Sequence, residues 1–377
     1  MELINIRLGD YIERSTINNK DLKYGGDLIV GVNSQGVFAT PKGNTDGVDL
    51  KPYKIVENGA FVYNPTRLEL GSIAYRTEGL CIVSHLYMVF YLTDEGKKII
   101  DPMWLYIYFR RSEFCREVTF RNFGSQRPEF NFNDMSDIII PLPDIEIQKK
   151  YVDIYNAMLE NQKSYEYGLE DLKLACDAYI EDLRRQMPCE AIATYIEEVN
   201  KKNVGNLKLN SVRGIATSKE FINTKANMEG VSLENYKVVE PGMIAFISDT
   251  SRRADKMSIA LNQSEENYLV SSISTVIQTD NTKLLPKYLY LFFCRTEFDR
   301  YARFHSWGSA RETFSLDDMK EVRMPLPSID VQKSIVGIYE AYTIRKEINE
   351  KLKAQIKAIC PILIKGSIEE ARKAKEA

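Results

Sequence analysis

The sequence predicts an α+β protein written twice: two tandem, pseudo-symmetric domains of mixed strands and short helices, each followed by a long helix, with the long helices pairing as an antiparallel coiled coil. Three observations carry this prediction. Residues 102–158 and 286–342 align without a gap at an offset of 184, with 25 identities in 57 pairs. Within each copy, short β-type runs broken by Gly, Asn, Asp and Pro give way to helical spacing. After each Pro-Leu-Pro, apolar residues recur every three or four positions over a stretch longer than an ordinary globular helix.

The first copy sets the order of elements. Leu28–Val32, Ala60–Tyr63 and Tyr87–Leu92 read as strands between turn residues. One helix is expected over Met103–Phe114, with its counterpart over Tyr288–Phe298. Pro141-Leu142-Pro143 stops the preceding element, and Asp144, like Ser328 in the second copy, is placed to cap a helix. The first long helix carries a stripe through Val152, Tyr155, Leu159, Gln162, Tyr165, Leu169, Leu172, Cys176, Tyr179 and Leu183 before Pro188. At ~1.5 Å per residue, about 40 residues span ~60 Å. The second stripe runs through Ile335, Ile338, Tyr342, Leu352, Ile356 and Ile359 before Pro361, interrupted by Arg345 and Asn349. Narrow stripes need a partner, and each helix is the other's simplest one. The expected domains are therefore 1–143, a central helix 144–187, 188–327, and a second long helix with a tail 328–377.

Upstream, Tyr53-Lys54-Ile55-Val56-Glu57-Asn58-Gly59 matches Tyr236-Lys237-Val238-Val239-Glu240-Pro241-Gly242, and Ser72-Ile73-Ala74 matches Ser258-Ile259-Ala260. Residues 144–187 hold 6 basic and 10 acidic groups, and residues 328–377 hold 10 and 7. The opposite signs favour pairing modestly.

Composition bounds the function. The chain has 377 residues with 44 % hydrophobic and 27 % charged, which excludes global disorder. No apolar run approaches the ~18 residues of a membrane span, and the N-terminal residues lack a secretory pattern. A cytoplasmic protein is expected. Six cysteines without a C-x-x-C pair exclude a typical zinc site and disfavour a disulfide framework. His85 and His305 occupy unrelated repeat positions and read as structural or surface groups. A net charge of −3 announces no nucleic acid, although a basic face can sit within a neutral total. G-x-G-x-x-G, a Walker loop and G-x-S-x-G are absent. The nearest approach to the tetrapeptide of adenine methyltransferases, Asn64-Pro65-Thr66-Arg67, lacks the second proline and the aromatic and reads as a turn. No catalytic or metal-ligating set emerges.

The polar loops carry a different chemistry. In the first copy they present Arg14, Asn18, Lys20, Asn33, Gln35, Lys42, Asn64, Arg67, Arg121, Gln126 and Arg127. In the second they present Lys219, Asn223, Lys225, Arg252, Arg253, Arg303 and Arg311. Arg suits guanine edges, Asn and Gln suit adenine, and Lys suits phosphates. Taken singly, each is better explained by a solvated loop.

The two halves together resemble the specificity (S) subunit of type I restriction–modification systems. The resemblance rests on Gly124-Ser125-Gln126-Arg127 and Gly308-Ser309-Ala310-Arg311. It also rests on Phe130-Asn131-Phe132-Asn133-Asp134-Met135 and Phe314-Ser315-Leu316-Asp317-Asp318-Met319, and on Pro-Leu-Pro with Ile-x-x-Gln-Lys opening each long helix. Glu57–Asn64, Arg67 and Gly71-Ser72-Ile73 add to it. The resemblance implies a subunit without a catalytic site or cofactor. Its two target-recognition domains each read half of a bipartite sequence in double-stranded DNA, and its helices set the spacer. Those helices also dock two methyltransferase subunits carrying S-adenosylmethionine, and where restriction accompanies modification two restriction subunits using ATP and Mg join. The loop residues named above become the DNA contacts. The halves diverge most over 15–50 and 200–235, so the target should be asymmetric. An S subunit of a methylation-only defence complex, an independent DNA-modifying enzyme with an unfamiliar site and a coiled-coil scaffold remain the alternatives.

Overall fold

The structure, a computed structural model, describes residues 3–41, 43–122, 129–205, 207–224, 226–250, 256–308 and 312–376. Among the described residues the helices are α1 Asp94–Ile99, α2 Pro102–Phe109, α3 Ser112–Arg121, α4 Phe132–Ser136, α5 Ile145–Gln186, α6 Pro286–Cys294, α7 Thr296–Phe304, α8 Leu316–Lys320 and α9 Ile329–Glu376. The chain divides into one unit of residues 1–164 with 349–377, and another of residues 165–348.

The first unit is built on a four-stranded antiparallel sheet in the order Ile12–Ser15, Met88–Leu92, Phe61–Tyr63, Ile73–Tyr75. Side chains alternate across a sheet. Phe61, Tyr63 and Phe90 therefore face the helices with Trp104, Phe109 and Phe114. Val62, Ala74 and Val89 face a second layer with Val32, Val56 and Val83. The second unit repeats this with Ile196–Glu198, Ser274–Thr279, Ile244–Ile247 and Ile259–Leu261. There Ile244 and Phe246 meet Tyr288 and Phe293, while Ala245, Ala260 and Val276 meet Val239 and Val270.

Each unit also contains an antiparallel pair of helix segments. In the first, the start of α5 meets the end of α9: Val152 and Tyr155 share a core with Ile356, Cys360, Leu363 and Ile364, with Leu159 and Ile359 at its margin. The Trp104 indole donates to Ser367 Oγ at 3.1 Å, fastening α2 to α9. In the second, the end of α5 meets the start of α9 through Ile180, Leu183, Ile335 and Val336. Leu169, Leu172, Ile338, Tyr342 and Leu352 are half-buried. Tyr179 is a correction: it is exposed, and Ile180 takes the fully buried position. The stripe passes from Cys176 to Ile180 by four and then to Leu183 by three, the drift expected of a 3.6-residue helix.

The polar residues of the stripes find each other. Gln162 Nε2 donates to Asn349 Oδ1 at 2.8 Å, both side chains buried. Arg345 Nε donates to the Tyr165 carbonyl at 2.9 Å, its guanidinium 5.3 Å from the Tyr165 ring.

Two helix boundaries differ from expectation. The helix expected over Met103–Phe114 is two, α2 and α3, because Arg111 is extended (φ −73°, ψ 146°), as is Arg295 between α6 and α7. Neither break carries a Gly or Pro to mark it: the chain reads Phe109-Arg110-Arg111-Ser112-Glu113-Phe114 and Phe293-Cys294-Arg295-Thr296-Glu297-Phe298. Conversely, α9 continues through Pro361. The bond lost there would have gone to the carbonyl of Lys357, whose residue is exposed to water. Leu363, Ile364, Ser367 and Ala371 beyond it are buried and hold the helix on.

The repeat motifs have structural jobs. Gln148 is fully buried: its Nε2 donates to the carbonyls of Ile99 and Pro143, and its Oε1 accepts from Asp101 N. Gln332 repeats this with Lys283, Pro327 and Leu285 N. The Phe-Asn/Ser-x-x-Asp motif is a capping box, Asn131 with Asp134 opening α4 and Ser315 with Asp318 opening α8.

Candidate nucleic-acid interface

In the first unit the selected loops form one connected edge. The hairpin of Gly31–Val32 and Phe38–Ala39 turns at Gly36, whose φ of +76° suits glycine. Beneath it Arg110 is buried and donates through Nη1 to the Gly71 carbonyl at 2.5 Å, while the Tyr106 hydroxyl donates to the Gly36 carbonyl. Ser72 Oγ donates to the Val32 carbonyl, and Asn64 N donates to the Ser72 carbonyl. The hairpin and the Asn64–Arg67 turn thus share one footing. Phe130 N donates to the Pro65 carbonyl, which ties the return of the Gly-Ser-x-Arg loop to the same turn. On the other flank Asn18 bridges to Lys54, whose Nζ donates to the Tyr87 carbonyl, and Tyr87 Oη accepts from Val32 N. Burial, then the neighbouring Arg14 charge, lowers the Lys54 ammonium pKa.

Individual residues separate into presenters and builders. Arg14, Lys20, Gln35 and Arg67 are exposed on this edge, with Asn18 half-buried beside them. Asn33 is committed to the hairpin: its Oδ1 accepts from the backbone N–H of Gln35 and Val37. Asn64 Oδ1 likewise accepts from Thr66 N and Oγ1, which makes Asn64–Arg67 a turn. Arg121 is exposed but engages Glu117 at 2.8 Å. Lys42, Gln126, Arg127, Lys225, Arg252, Arg253 and Arg311 lie outside the described residues.

In the second unit the hairpin of Arg213–Ile215 and Phe221–Asn223 stands at the equivalent place. Asn223 is exposed on it. Lys219 is a correction: it takes the turn position of Gly36 (φ +66°) and is buried. Its Nζ pairs with Asp299 Oδ1 at 2.6 Å and donates to the Phe293 carbonyl at 2.6 Å. It therefore offers no ammonium to a ligand at the surface. Arg303 is paired with Glu312. The return of the second Gly-Ser-x-Arg loop is tied as in the first unit, with Phe314 N donating to the Ser248 carbonyl.

Sequence reasoning passed over three other groups, the half-buried Arg213 and the exposed Lys202 and Trp307. Arg213 lies 4.5 Å from the Tyr268 ring at the hairpin base. Lys202 stands at the bridge equivalent to Asn18, and Trp307 is exposed beside Gly308. The signal for Lys202 was available, since an offset of 184 carries Asn18 onto it. Among the described residues no group of three or more His, Cys, Asp or Glu could hold a metal ion. All six cysteines are free, and no described helix is long and apolar enough to cross a membrane.

Two polar loop edges, each raised on its own copy of one domain, define a duplicated recognition module. The family model described as type I restriction modification DNA specificity domain matches residues 2–166 and again 194–358, and the chain belongs to that family. Among solved structures, the S subunit of a type I restriction–modification system from M. genitalium is similar, with 12 % identity, 98 % of this chain and 96 % of that chain covered, and a TM-score of 0.58. The HsdS subunit from Thermoanaerobacter tengcongensis is 15 % identical over 97 % and 96 %, with a TM-score of 0.40. A chain from a study of complex assembly and conformational transition of the type I R-M system is 15 % identical over 97 % of each, with a TM-score of 0.48. No curated protein matches the chain.

Proposed function

We propose that the chain is the non-catalytic recognition subunit of a DNA-modifying complex and reads a bipartite, asymmetric target, one half-site per domain. The observation that supports this best is the contrast between a kept footing and changed tips. Both hairpins stand on a buried cation and a tyrosine hydroxyl, yet one tip reads Asn33-Ser34-Gln35 and the other Ala216-Thr217-Ser218. Readers of different half-sites must differ where they meet base edges and can agree elsewhere. The chain docks two adenine methyltransferase subunits, which bring S-adenosylmethionine, and in a restricting system two restriction subunits, which bring ATP and Mg. Arg14, Lys20, Gln35, Arg67 and Asn223 are its DNA-facing groups among the described residues.

The test is methylome mapping. The chain is co-expressed with the methyltransferase encoded beside it, with a host lacking the chain as control. A split, non-palindromic motif appearing only with the chain is expected. An assembled, active complex that yields no such motif refutes the proposal.

A further inference from the structure

The duplication lets the chain serve as its own comparison. Over the gapless segment 102–158 against 286–342, most identities are buried or lie in the capping and Pro-Leu-Pro motifs. Five described positions are identical and exposed in both copies: 113, 116, 120, 149 and 157, with their partners at 184 residues' distance. Two of these have local explanations. Lys149 and Lys333 pair with acids one turn earlier on their own helices, and Ala157 and Ala341 are strong helix formers on exposed faces.

The other three share one helix. Glu113, Arg116 and Phe120 on α3, and Glu297, Arg300 and Phe304 on α7, stand at i, i+3 and i+7 and form one stripe. The phenylalanines are 82 % and 74 % exposed. Phe304 meets the ring of its own neighbour His305 at 5.1 Å, among the described residues no ring contact holds Phe120, and an exposed phenylalanine is not neutral for solubility. Neighbours on the same helices have drifted freely: Glu117 to Tyr301, Val118 to Ala302 and Thr119 to Arg303.

We infer that the Glu-x-x-Arg-x-x-x-Phe stripes of α3 and α7 are matched docking surfaces for two copies of one protein partner, the methyltransferase subunit. A surface kept identical in halves that otherwise diverge meets something identical on both sides, so it does not read the half-sites. Charge decides between a protein and the DNA backbone. Each stripe carries one acid and one base, and Glu113 and Arg116 approach to 3.5 Å. A neutral pair beside an exposed ring lacks the positive field that phosphates select, whereas aromatic and Arg side chains are the common anchors of protein interfaces. The inference rests on the reading of the chain as a subunit that assembles with two methyltransferases.

The experiment uses the full chain and its methyltransferase. Phe120→Ser, Phe304→Ser and the double variant are compared with wild type by native mass spectrometry and by titration, with melting curves to confirm folding. Each single variant should lower the affinity of one of two sites by about tenfold or more, which shifts the population from two methyltransferases per chain to one. The double variant should weaken both. Arg116→Ala with Arg300→Ala gives a second, independent perturbation of the same stripe and should act in the same direction. Unchanged assembly in all variants overturns the inference. Unchanged assembly with weakened DNA binding by the complex overturns it in favour of a backbone contact. If the wild-type chain itself binds no methyltransferase, the parent reading fails, and that outcome is separable because no variant is needed to see it.

Discussion

Replacing Lys219 tests the structural reading of the second hairpin against the DNA-contact reading that its sequence suggests. At 2.6 Å from Asp299, and with an effective dielectric of about 20, the attraction is roughly 6 kcal/mol, most of it offset by desolvation of both charges. The relevant perturbation is removal of one partner. Lys219→Met leaves the Asp299 carboxylate buried with Met257 N as its remaining donor among the described residues. It also leaves the Phe293 carbonyl without the ammonium. Breaking such a pair costs about 3–5 kcal/mol, which for a unit of this size lowers the melting temperature by roughly 10 °C. Calorimetry on the full chain reads it. The first unit supplies the rescue. There the hairpin residue is Gly36 and the cation is Arg110, the residue that caps the end of α2, whose counterpart is Cys294. Lys219→Gly with Cys294→Arg should therefore recover a substantial part of the loss, while Lys219→Gly alone should not. An unchanged melting temperature for Lys219→Met, combined with weaker DNA binding by the assembled complex, would refute the argument.

Four further outcomes are expected. Gln162→Leu or Asn349→Leu alone should cost ~1–3 kcal/mol by stranding a buried amide, while the double variant should be near neutral; urea denaturation in a double-mutant cycle measures the coupling. Gln148→Ala and Gln332→Ala should each destabilise their own unit by ~2–3 kcal/mol through orphaned backbone groups, seen as local loss of hydrogen-exchange protection. Burial pushes the Cys176 and Cys360 thiols up to about 11 from an ordinary 9, so neither should react with iodoacetamide at pH 8 in the folded chain. The folded state then holds protons that the unfolded chain has released, so stability present below pH 9 should drain as pH rises toward 11, and a Cys176→Ala, Cys360→Ala variant should flatten that slope. Finally, removing one turn from α5 with a matching turn from α9 should shorten the methylated spacer by ~5 Å, about 1.5 base pairs; an unchanged spacer in the methylome would exclude a ruler role.

What the sequence made legible follows from where identities fall. The repeat was readable because core positions such as Phe109, Phe114, Phe130 and Met135 tolerate few replacements, and their offset of 184 survives drift. Both long helices were readable from periodicity, but the seam was not readable to the residue. A stripe read at spacing three or four places Tyr179 and Ile180 equally well, and only the accumulated 3.6-residue rotation selects Ile180. The break at Arg111 was hidden because no Gly or Pro marks it and because α2, largely buried, shows no periodicity that would end there. Lys219 was misread because its partner Asp299 lies 80 residues away, and a lysine in a polar loop ordinarily faces water. Asn33 and Asn64 were chosen for their amides, which is the property that builds their turns.

The exchange beneath the two hairpins argues for how such a domain can change what it reads while keeping its fold. Each unit needs a cation under the hairpin because backbone carbonyls converge there: Gly71 and Ser34 in the first unit, Phe293 in the second. In the first unit that cation rises from the end of the helix, and the hairpin carries a glycine where a Cβ would crowd Arg110 and lie 2.8 Å from the Ile73 carbonyl at a φ of +76°. In the second it descends from the hairpin, and the helix position is freed for Cys294, with Asp299 replacing Cys115 to balance the charge. The tyrosine hydroxyl that fastens the turn is common to both, Tyr106 to Gly36 and Tyr290 to Lys219. A platform that accepts its charge from either side fixes the height and direction of the hairpin without fixing the residues at its tip. Divergence can then concentrate at the exposed tip residues 34–35 and 217–218, whose side chains form no part of that footing.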